Sequence, residues 1–412
     1  MEYTYQDNYI KLYPSNTEHI DIYKTKAQTI LQTILTSKPI SKDYKILHPI
    51  DLTDFKELVE LSQYIINNFK QVIIVGMGGS ILNPKITSTL EQETYTKNIP
   101  IKYLDTTDQL YYNKIMDDVN LRDTYFLVIS KSGTTIEVLS LLGAIIHDLN
   151  KQQIRHYNQN FCFIIGSTPS PLREIAQDMQ SLILEHDPYL GGRFSTFTNI
   201  GILPGLLAGC DVKNFIEGGN KVIHSLWNLK ENSIPVIAAI SLLLFNKPML
   251  INISYLKTFS FYLDWYNQII AESLGKNGMG FTPIKSLGPM NQHSMFQLYL
   301  DGPSDKVYNF IYAQNRTKTT NFIEKNPILE KYKLAGKTLD QINAIEFSAS
   351  LSYCERNYPV RKIILNELNA QNLGALAMHS ILEVVILGHL MQINPFNQPS
   401  VEKIKSKVLA LF

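Results

Sequence analysis

Short aliphatic runs separated by segments of helical length constrain the fold of this chain more than any other feature of its sequence. In the first half the runs are QVIIVG, IPIKYLD, YFLVIS and NFCFIIG, and in the second half they are PMLINIS, MFQLYLDG, YNFIYA and VRKIILNE. Buried strands that alternate with helices are typical of parallel sheets in which helices make the crossover connections. The sequence therefore predicts an α/β fold with two stacked, doubly wound domains, each a mainly parallel sheet flanked by helices.

The positions of these runs also predict where the domains begin and end. Residues 1–45 are polar and helix-prone, so we expect an N-terminal helical extension. We expect α/β domains over residues 46–212 and 213–395, because a Gly/Pro-rich passage separates the two series of runs. The second domain includes a long apolar helix, and residues 396–412 are expected to form a C-terminal segment with a short basic helix.

Charge and composition give no indication of a nucleic-acid or membrane partner. The 412 residues include 38 basic and 37 acidic side chains, so the net charge is close to zero. The N-terminal stretch MEYTYQDNYIKLYPS lacks the features of a leader, and apolar runs such as IPVIAAISLLLF are too short to span a bilayer. Three distant cysteines and nine scattered histidines show no metal-ligand spacing. We therefore expect a cytoplasmic protein without a metal site.

Two loops at predicted strand ends carry the residues of a phosphate site. In parallel sheets, ligands bind beyond the carboxyl ends of the strands. GMGGS, which begins at Gly76, follows the strand QVIIV, and SKSGTT, residues 130–135, follows YFLVIS. Each loop leads into a predicted helix, so backbone N–H groups and hydroxyls can bind an anion without a buried charge. This pattern suits a phosphate monoester.

Two other interpretations of these loops remain open. Gly76 and Gly78 follow a strand and Asp105 ends the next one, which resembles a dinucleotide fingerprint, although Ile81 stands where the third glycine belongs. The serines and threonines of SKSGTT could also simply cap a helix and form a turn without any ligand.

A predicted buried helix carries the best candidate for a catalytic base. In the segment LKTFSFYLDWYNQIIAESLGKNG both helical faces are largely apolar, and Gln268 and Glu272 are one turn apart on the same face. A carboxylate near the end of such a helix, beside aromatic side chains, can accept a proton from a substrate. The alternative is a structural ion pair between Glu272 and Lys276 at i+4.

Three further side chains are candidates for chemistry. Arg193 follows two glycines in GGRFS, which allows its backbone to approach a ligand closely. His293 lies in GPMNQHS and Lys405 lies in the terminal VEKIKSK. Taken alone, each of the three could be structural or simply solvated.

Together these segments resemble the glucose-6-phosphate isomerase family from about residue 45 to the end of the chain. GMGGS, SKSGTT, GGRFS, AESLGK, GPMNQHS and NQPSVEKIK occur in the family's order. GGRFS, ESxGK and QHS in this order are the specific part, since the other loops mark any phosphosugar domain. The resemblance implies two sugar-isomerase-type domains, with residues 396–412 completing the active site.

The resemblance also implies a reaction and a role for each candidate residue. The reaction is the reversible isomerisation of glucose 6-phosphate to fructose 6-phosphate by metal-independent proton transfer through a cis-enediol. Glu272 would be the base, Arg193 would stabilise developing negative charge, and His293 and Lys405 would assist ring opening. Lys403 and Lys407 compete with Lys405 for its role. The implied substrate contacts are Gly79, Ser80, Ser130, Lys131, Ser132, Thr134, Thr135, Gln268 and Gln398.

Partners follow from the same resemblance. It implies a hexose 6-phosphate substrate, no cofactor, and a homodimer in which His293 acts in trans on the other subunit. A non-catalytic sugar-phosphate-binding regulator would keep the hydroxyl-bearing loops and have no use for the base, the arginine and the histidine. An isomerase of another hexose phosphate, such as mannose 6-phosphate or an aminosugar phosphate, remains an alternative.

Overall fold

A computed structural model of the protein describes residues 3–36, 42–51, 55–88, 98–315 and 322–411. The described strands are β1 Tyr3–Asp7, β2 Gln71–Val75, β3 Ile101–Leu104, β4 Thr124–Ser130, β5 Phe161–Ile165, β6 Leu182–Glu185, β7 Met249–Ser254, β8 Thr282–Leu287, β9 Lys306–Asn315 and β10 Val360–Glu367. The described helices are α1 Tyr9–Leu12, α2 Thr17–Thr36, α3 Lys56–Asn68, α4 Gly79–Thr87, α5 Gln109–Asp117, α6 Ile136–Lys151, α7 Pro171–Asp178, α8 Asn199–Ala208, α9 Val212–Leu229, α10 Ile234–Phe245, α11 Ser260–Leu274, α12 Phe296–Asp301, α13 Pro327–Lys331, α14 Leu339–Asn357, α15 Ala370–Leu390 and α16 Pro399–Leu409.

Contacts divide the chain into two compact units. Unit 1 consists of Met1–Gln32 and Ser225–Pro395, and unit 2 consists of Thr33–His224 and Phe396–Phe412. The first residues therefore group with the second half of the chain, and the last residues group with the first half. The predicted boundary after residue 212 lies at the start of α9, whereas the two units divide within that helix.

Unit 2 contains a fully parallel sheet of five strands in the order β3-β2-β4-β5-β6. All seven residues of β4 are buried, as expected for a central strand that is covered on both faces. The strand order reverses between β2 and β4, which pair directly from Gln71↔Thr124 to Val75↔Val128. An apolar core of aliphatic and aromatic side chains from β2, β4, β5 and α6 fills one side of the sheet.

Unit 1 contains a five-stranded sheet in the order β1-β10-β9-β7-β8. Four strands are parallel, and β1 pairs antiparallel with β10 from Tyr3↔Leu365 to Asp7↔Arg361. Its order reverses between β7 and β9, so each unit has its own reversal point. The predicted α/β architecture and the N-terminal helical segment, observed as α2, are confirmed, but the strand before that helix is not evident from the sequence because YTYQD is short and polar.

Two elements of unit 1 differ from the sequence-based prediction. MFQLYLDG, expected as a strand, contains the helix α12. The run is short, and apolar residues at such spacing fit a strand or a helix equally well. The strand in this part of the sheet is β8, with the sequence TPIKSL, which has a proline and a lysine and only two buried residues. An edge strand with half-exposed side chains has no continuous apolar run to reveal it.

The longest apolar helix is a core helix. α15 has the length and mean hydropathy of a membrane span, contrary to the expectation that the apolar segments are too short, yet 94% of that stretch is buried inside the structure. It packs against α10, α11, β1 and β10 of the same unit. A helix that is apolar on all sides is typical of the interior of a large domain.

Candidate active site

Two loops with predicted phosphate ligands lie side by side at one edge of the unit 2 sheet. GMGGS follows β2 and SKSGTT follows β4, and these strands are direct neighbours. They flank the reversal point of the sheet, where open α/β sheets bind ligands beyond the carboxyl ends of their strands. Gly78, with a φ of 55°, turns the chain into α4. In the first turn of α4 the N–H groups of Ser80 and Ile81 donate to the carbonyls of Met77 and Gly78. What this turn offers an anion is therefore the positive end of the helix dipole and the half-buried Ser80 hydroxyl.

The second loop has an inner and an outer set of hydroxyls. Ser130 is buried, and its Oγ lies 3.0 Å from Oγ1 of Thr135. Ser132 and Thr134 are exposed, and the Thr134 hydroxyl donates to Ser132 Oγ over 3.1 Å. Gly133 has a φ of 64°, and a Cβ there would lie 2.1 Å from Ser170 Oγ. Ser132 and Thr134 are accessible to a ligand, while Ser130 braces the loop from within.

Lys131 supports a neighbouring loop. Its ammonium group donates to the backbone carbonyls of Pro188 and Leu190 over 3.1 and 2.7 Å. These residues lead directly into the GGRFS segment, residues 191–195. Lys131 thus ties the SKSGTT loop to the chain that positions Arg193.

The GMGGS and GGRFS segments are in direct backbone contact. A Cβ on Gly79 would lie 2.4 Å from the carbonyl carbon and oxygen of Gly192 and 2.7 Å from the backbone nitrogen of Arg193. Such distances exclude any side chain at position 79 without movement of one segment. Gly79, a predicted substrate contact, is therefore also a packing requirement between the anion site and the arginine segment.

Arg193 and Gln398 are brought together although they are far apart in sequence. Arg193 is 2% exposed and lies in a 3₁₀ helix, Gly192–Phe197. Its Nη1 donates to Oε1 of Gln398, and its Nη2 donates to the carbonyl of Asn397 over 3.3 Å. Phe396 packs edge-on against Phe194, with ring centroids 6.0 Å apart. The C-terminal segment thus lies on the arginine segment of unit 2.

The candidate lysines lie on the exposed terminal helix α16. Lys405 donates to Oε1 of Glu402 over 2.8 Å, and both side chains are at least half exposed. Lys403 and Lys407 are exposed on the same helix. None of these contacts distinguishes the predicted Lys405 from its two rivals.

The candidate base lies in unit 1 on α11, as the helical pattern predicts. Nε2 of Gln268 donates to Oε1 of Glu272 over 2.8 Å, one helical turn apart. Among the described residues, the buried Oε1 of Gln268 has no hydrogen-bond donor. Buried acceptors are nearly always paired, and a sugar hydroxyl is a suitable donor. Lys276, the alternative partner of Glu272, donates to the backbone carbonyl of Asn394.

A buried ionic cluster holds α11 in place. Tyr266 on α11 donates to Oε2 of Glu383 over 3.0 Å, and Arg361 on β10 donates to Oε1 of the same carboxylate. Both charged side chains are fully buried. Burial alone would raise the pKa of Glu383, but Arg361, the nearby His379 ring and the hydrogen bond from Tyr266 together lower it below its ordinary value. The carboxylate therefore stays ionised and keeps the helix joined to α15 and β10.

His293 and Glu272 do not come together within unit 1. A crossover helix runs antiparallel to its strands, so the C-terminal end of α11 lies at the amino edge of the sheet. His293 lies just beyond β8, at the carboxyl edge, in the 3₁₀ helix Met290–His293. The six residues of β8 span about 20 Å. His293 is exposed, and Met290 and Leu298 nearby are 65% and 50% exposed.

Comparison with known proteins identifies the family of this chain. The sequence profile of the family described as Phosphoglucose isomerase matches residues 50–411. The chain belongs to the phosphoglucose isomerase family. A protein of Methanocaldococcus jannaschii named glucose-6-phosphate isomerase is 30% identical over 362 residues, which cover 82% of this chain and 84% of that one. As a member of this family, the chain is an aldose-ketose isomerase.

Solved structures confirm the fold. A hypothetical protein of Thermus thermophilus superposes with a TM-score of 0.85 at 24% identity, over 99% of both chains. A glucose-6-phosphate isomerase of Chlamydia trachomatis superposes with a TM-score of 0.74 at 18% identity, over 86% of this chain and 72% of that one. Both share the two-sheet α/β architecture of this family member.

A large cavity in unit 1 contains none of the predicted site residues. Its volume is about 960 Å³, and it lies between α14 and the outer face of β1, β9 and β10. Large cavities are the default candidates for ligand sites. This one is open, its polar lining consists mainly of exposed side chains, and it includes Asp340 and Gln341 in the first turn of α14. Neither of the predicted phosphate loops nor the Gln268–Glu272 pair contributes to its lining.

His186 is a buried titratable residue that the sequence does not single out. It follows β6 and is 1% exposed. Its Nδ1 donates to the carbonyl of Asp187 over 2.7 Å, and its Nε2 lies 3.4 Å from Ser195 Oγ. Burial, together with the nearby Lys131 ammonium group, lowers the pKa of His186 to about 4, although the hydrogen bond to the Asp187 carbonyl acts in the opposite direction. His186 therefore supports the arginine segment as a neutral side chain.

Asn83 is the second residue that sequence reasoning does not identify. It lies in the interior of α4, directly before Pro84. Asn-Pro usually marks a turn, so an Asn-Pro pair inside a helix is a signal that the asparagine has a tertiary role. Its partners include residues more than a hundred positions away in sequence, and no local pattern predicts them.

Proposed function

We propose that this chain interconverts glucose 6-phosphate and fructose 6-phosphate by proton transfer through a cis-enediol. The observation that carries the proposal is the Gln268–Glu272 pair, because it combines a carboxylate with a buried acceptor that lacks a donor among the described residues. Membership of the phosphoglucose isomerase family supports the reaction class.

The substrate phosphate binds at the start of α4 and along the SKSGTT loop. The hydroxyls of Ser80, Ser132 and Thr134 supply hydrogen bonds to its oxygens, and the N-terminus of α4 favours its negative charge. None of these side chains carries a positive charge. The site holds the C6 end of an open-chain hexose, away from the reacting carbons C1 and C2. Anchoring energy of this kind keeps the reacting carbons in position for the chemical step.

Glu272 removes the proton from C2, and the electron pair of that C–H bond forms the C1–C2 double bond while the π pair of the C1 carbonyl moves onto its oxygen. The proton of the C2 hydroxyl is transferred to the C1 oxygen. The C2 oxygen then forms the carbonyl of the ketose, and the electron pair of the C1–C2 double bond takes the proton back from the Glu272 carboxylic acid at C1. Negative charge develops on the C1 and C2 oxygens as the proton leaves. A well-placed donor such as the Arg193 guanidinium contributes on the order of 10²- to 10³-fold to such a step. Gln268 orients Glu272 and accepts from a substrate hydroxyl.

Ring opening needs a proton for the ring oxygen and a base for the C1 hydroxyl. His293 and Lys405 take these roles, with Lys403 and Lys407 as rivals of the lysine. His293 acts in trans within a homodimer. Two observations support this: His293 lies at the opposite sheet edge from Glu272 of its own chain, and it is exposed beside the exposed apolar residues Met290 and Leu298. Exposed apolar surface of this kind is typical of interaction sites.

A coupled assay tests the proposal. Purified protein is given fructose 6-phosphate, mannose 6-phosphate or glucosamine 6-phosphate, with and without EDTA. We expect rapid formation of glucose 6-phosphate from fructose 6-phosphate, and the same rate in EDTA because the proton transfer needs no metal. Turnover of only another hexose phosphate would change the substrate assignment. Binding of all three without turnover would instead indicate a regulatory protein.

A further inference from the structure

The side chain of Asn83 connects the two segments of unit 2 that carry the anion site and Arg193. Its Nδ2 donates to the carbonyl of Gly79 over 2.5 Å and to the carbonyl of Gly192 over 2.6 Å. Its Oδ1 accepts from the hydroxyl of Thr196. Two carbonyls on one side and a hydroxyl on the other fix which amide atom is the nitrogen. Asn83 is fully buried, so these hydrogen bonds do not compete with water.

These contacts join the start of α4 to the residues on either side of Arg193. Gly79 is the first residue of α4, where the phosphate binds in the proposed function. Gly192 directly precedes Arg193, and Thr196 follows it in the same 3₁₀ helix. One amide group therefore holds the arginine segment on both sides of Arg193 against the helix that carries the anion site.

We infer that Asn83 is a positioning residue that sets the distance between the bound phosphate and Arg193. This inference rests on the proposed function. A hexose 6-phosphate has a fixed length, so the guanidinium must lie at one distance from the phosphate to reach the oxygens at C1 and C2. Misplacement by about 1 Å can reduce the rate by about 10²-fold.

Two competitive inhibitors separate this role from a merely structural one. Inorganic phosphate contacts the anion site alone. 6-Phosphogluconate has the same phosphate and also a carboxylate at C1, so it contacts both the anion site and Arg193. A change in the distance between the two sites weakens the second inhibitor and leaves the first unchanged.

Thr87→Val provides the matched control. Thr87 lies one turn further along α4, is also fully buried, and donates to the carbonyl of Gly201 over 2.7 Å. Gly201 lies in α8 and does not flank Arg193. Both substitutions therefore remove buried side-chain hydrogen bonds from the same helix, but only Asn83 is hydrogen-bonded to the arginine segment itself.

For Asn83→Ala we expect kcat to fall about 10- to 100-fold and the Ki of 6-phosphogluconate to rise at least about tenfold, with the Ki of phosphate changed by less than about twofold. For Thr87→Val we expect all three values to stay within about twofold of the wild type, because only fold stability is affected. Equal weakening of both inhibitors by Asn83→Ala, or no change in either, would overturn the inference.

Thr196→Val covers the case in which Asn83→Ala does not fold. It preserves side-chain shape and removes only the hydroxyl that orients the Asn83 amide. We expect the same selective weakening of 6-phosphogluconate, about threefold or more, since the remaining hydrogen bonds hold the amide less firmly. Unchanged inhibition by both compounds in a folded Thr196→Val protein would contradict the inference. Lack of isomerase activity in the wild type would instead refute the proposed function. Failure of the proposed function can therefore be distinguished from failure of the inference about Asn83.

Discussion

The two units support their functional residues with different kinds of interaction. In unit 1, α11 is joined to its neighbours by a fully buried ion pair, Arg361 with Glu383, and by Tyr266. In unit 2, the segment around Arg193 is held beside the predicted anion site by hydrogen bonds to backbone carbonyls. The neutral amide of Asn83 donates one of them and the Lys131 ammonium group donates others. Loss of one member of a buried ion pair leaves the other charge buried without a partner, which strongly destabilises the fold. Loss of one hydrogen bond to a backbone carbonyl costs less stability, and it changes the position of a single loop.

This difference predicts that substitutions in the ionic cluster of unit 1 mainly lower the free energy of unfolding. Substitutions in the supporting contacts of unit 2 are expected mainly to change the catalytic rate. Both tryptophans of the chain, Trp227 and Trp265, lie in unit 1. Tryptophan fluorescence therefore reports the unfolding of unit 1, and hydrogen exchange measured by mass spectrometry reports that of unit 2.

The largest effect is expected for Glu383→Ala. The substitution leaves the Arg361 charge buried without its partner, which should lower the free energy of unfolding of unit 1 by about 3–5 kcal/mol. Urea denaturation followed by tryptophan fluorescence measures this loss. The double variant Arg361→Met/Glu383→Leu is the control, because removal of both charges should restore most of the stability. A single variant as stable as the wild type would show that the cluster does not hold α11.

Acid is expected to weaken unit 2 through His186. The pKa of its folded form, about 4, lies below the unfolded value of about 6.5, so between these pH values only the unfolded state binds the proton. Stability is therefore complete above this window and falls as the pH decreases through it, by about 2 kcal/mol between pH 7 and pH 5.

Hydrogen exchange in residues 186–197 at the two pH values measures the effect of His186. His186→Gln, which has no titratable group, should remove most of the difference between pH 7 and pH 5. Glu383 in unit 1 also has a lowered pKa, but there the ion pair with Arg361 favours the charged form, whereas burial disfavours the charged form of His186. The stabilisation by Glu383 is therefore present above the ordinary carboxyl range and is lost only at lower pH. Equal pH dependence in wild type and variant would rule out His186 as the cause.

A smaller effect, confined to catalysis, is expected for Gly79→Ala. The added Cβ would lie 2.4 Å from the Gly192 carbonyl, so the two segments must separate and kcat/KM should fall about 10- to 100-fold. Gly143→Ala in α6 is the control, because no atom lies within 4 Å of the Cβ added there. If the two alanine variants have equal activity, the contact between the anion site and the arginine segment does not matter for catalysis.

Features that depend on residues close together in the sequence are predictable, whereas features that depend on contacts between distant residues are not. β2, β4 and β5 are evident as continuous apolar runs because their side chains are buried on both faces. The Gln268–Glu272 pair is predictable because i and i+4 always share a helical face. The contact of Gly79 with Gly192 and the partners of Asn83 and His186 arise from tertiary packing between distant segments. The sequence hints only that Asn83, directly before Pro84 inside a helix, is unusual; it does not indicate which residues these side chains contact.

The predicted roles of Glu272, His293 and the C-terminal lysines come from the resemblance to a family and not from the periodicity of the sequence. The candidate base Glu272 lies near the end of a crossover helix, at the edge of the sheet opposite to the strand-end loops, so the rule that locates the predicted phosphate loops does not locate Glu272. His293 and the C-terminal lysines likewise carry no local pattern that distinguishes them from surface residues. Their roles stay predictions that depend on the reaction itself.

The most direct measurement of that reaction is isomerisation of fructose 6-phosphate in D₂O, followed by NMR at C2 of the glucose 6-phosphate formed, for the wild type and for Glu272→Gln. The wild type should introduce solvent deuterium at C2, because the carboxylic acid exchanges its proton during the lifetime of the enediol. Glu272→Gln should bind 6-phosphogluconate normally and form product at least about 10³-fold more slowly. Rapid turnover by Glu272→Gln, or wild-type product without any deuterium at C2, would contradict proton transfer by Glu272.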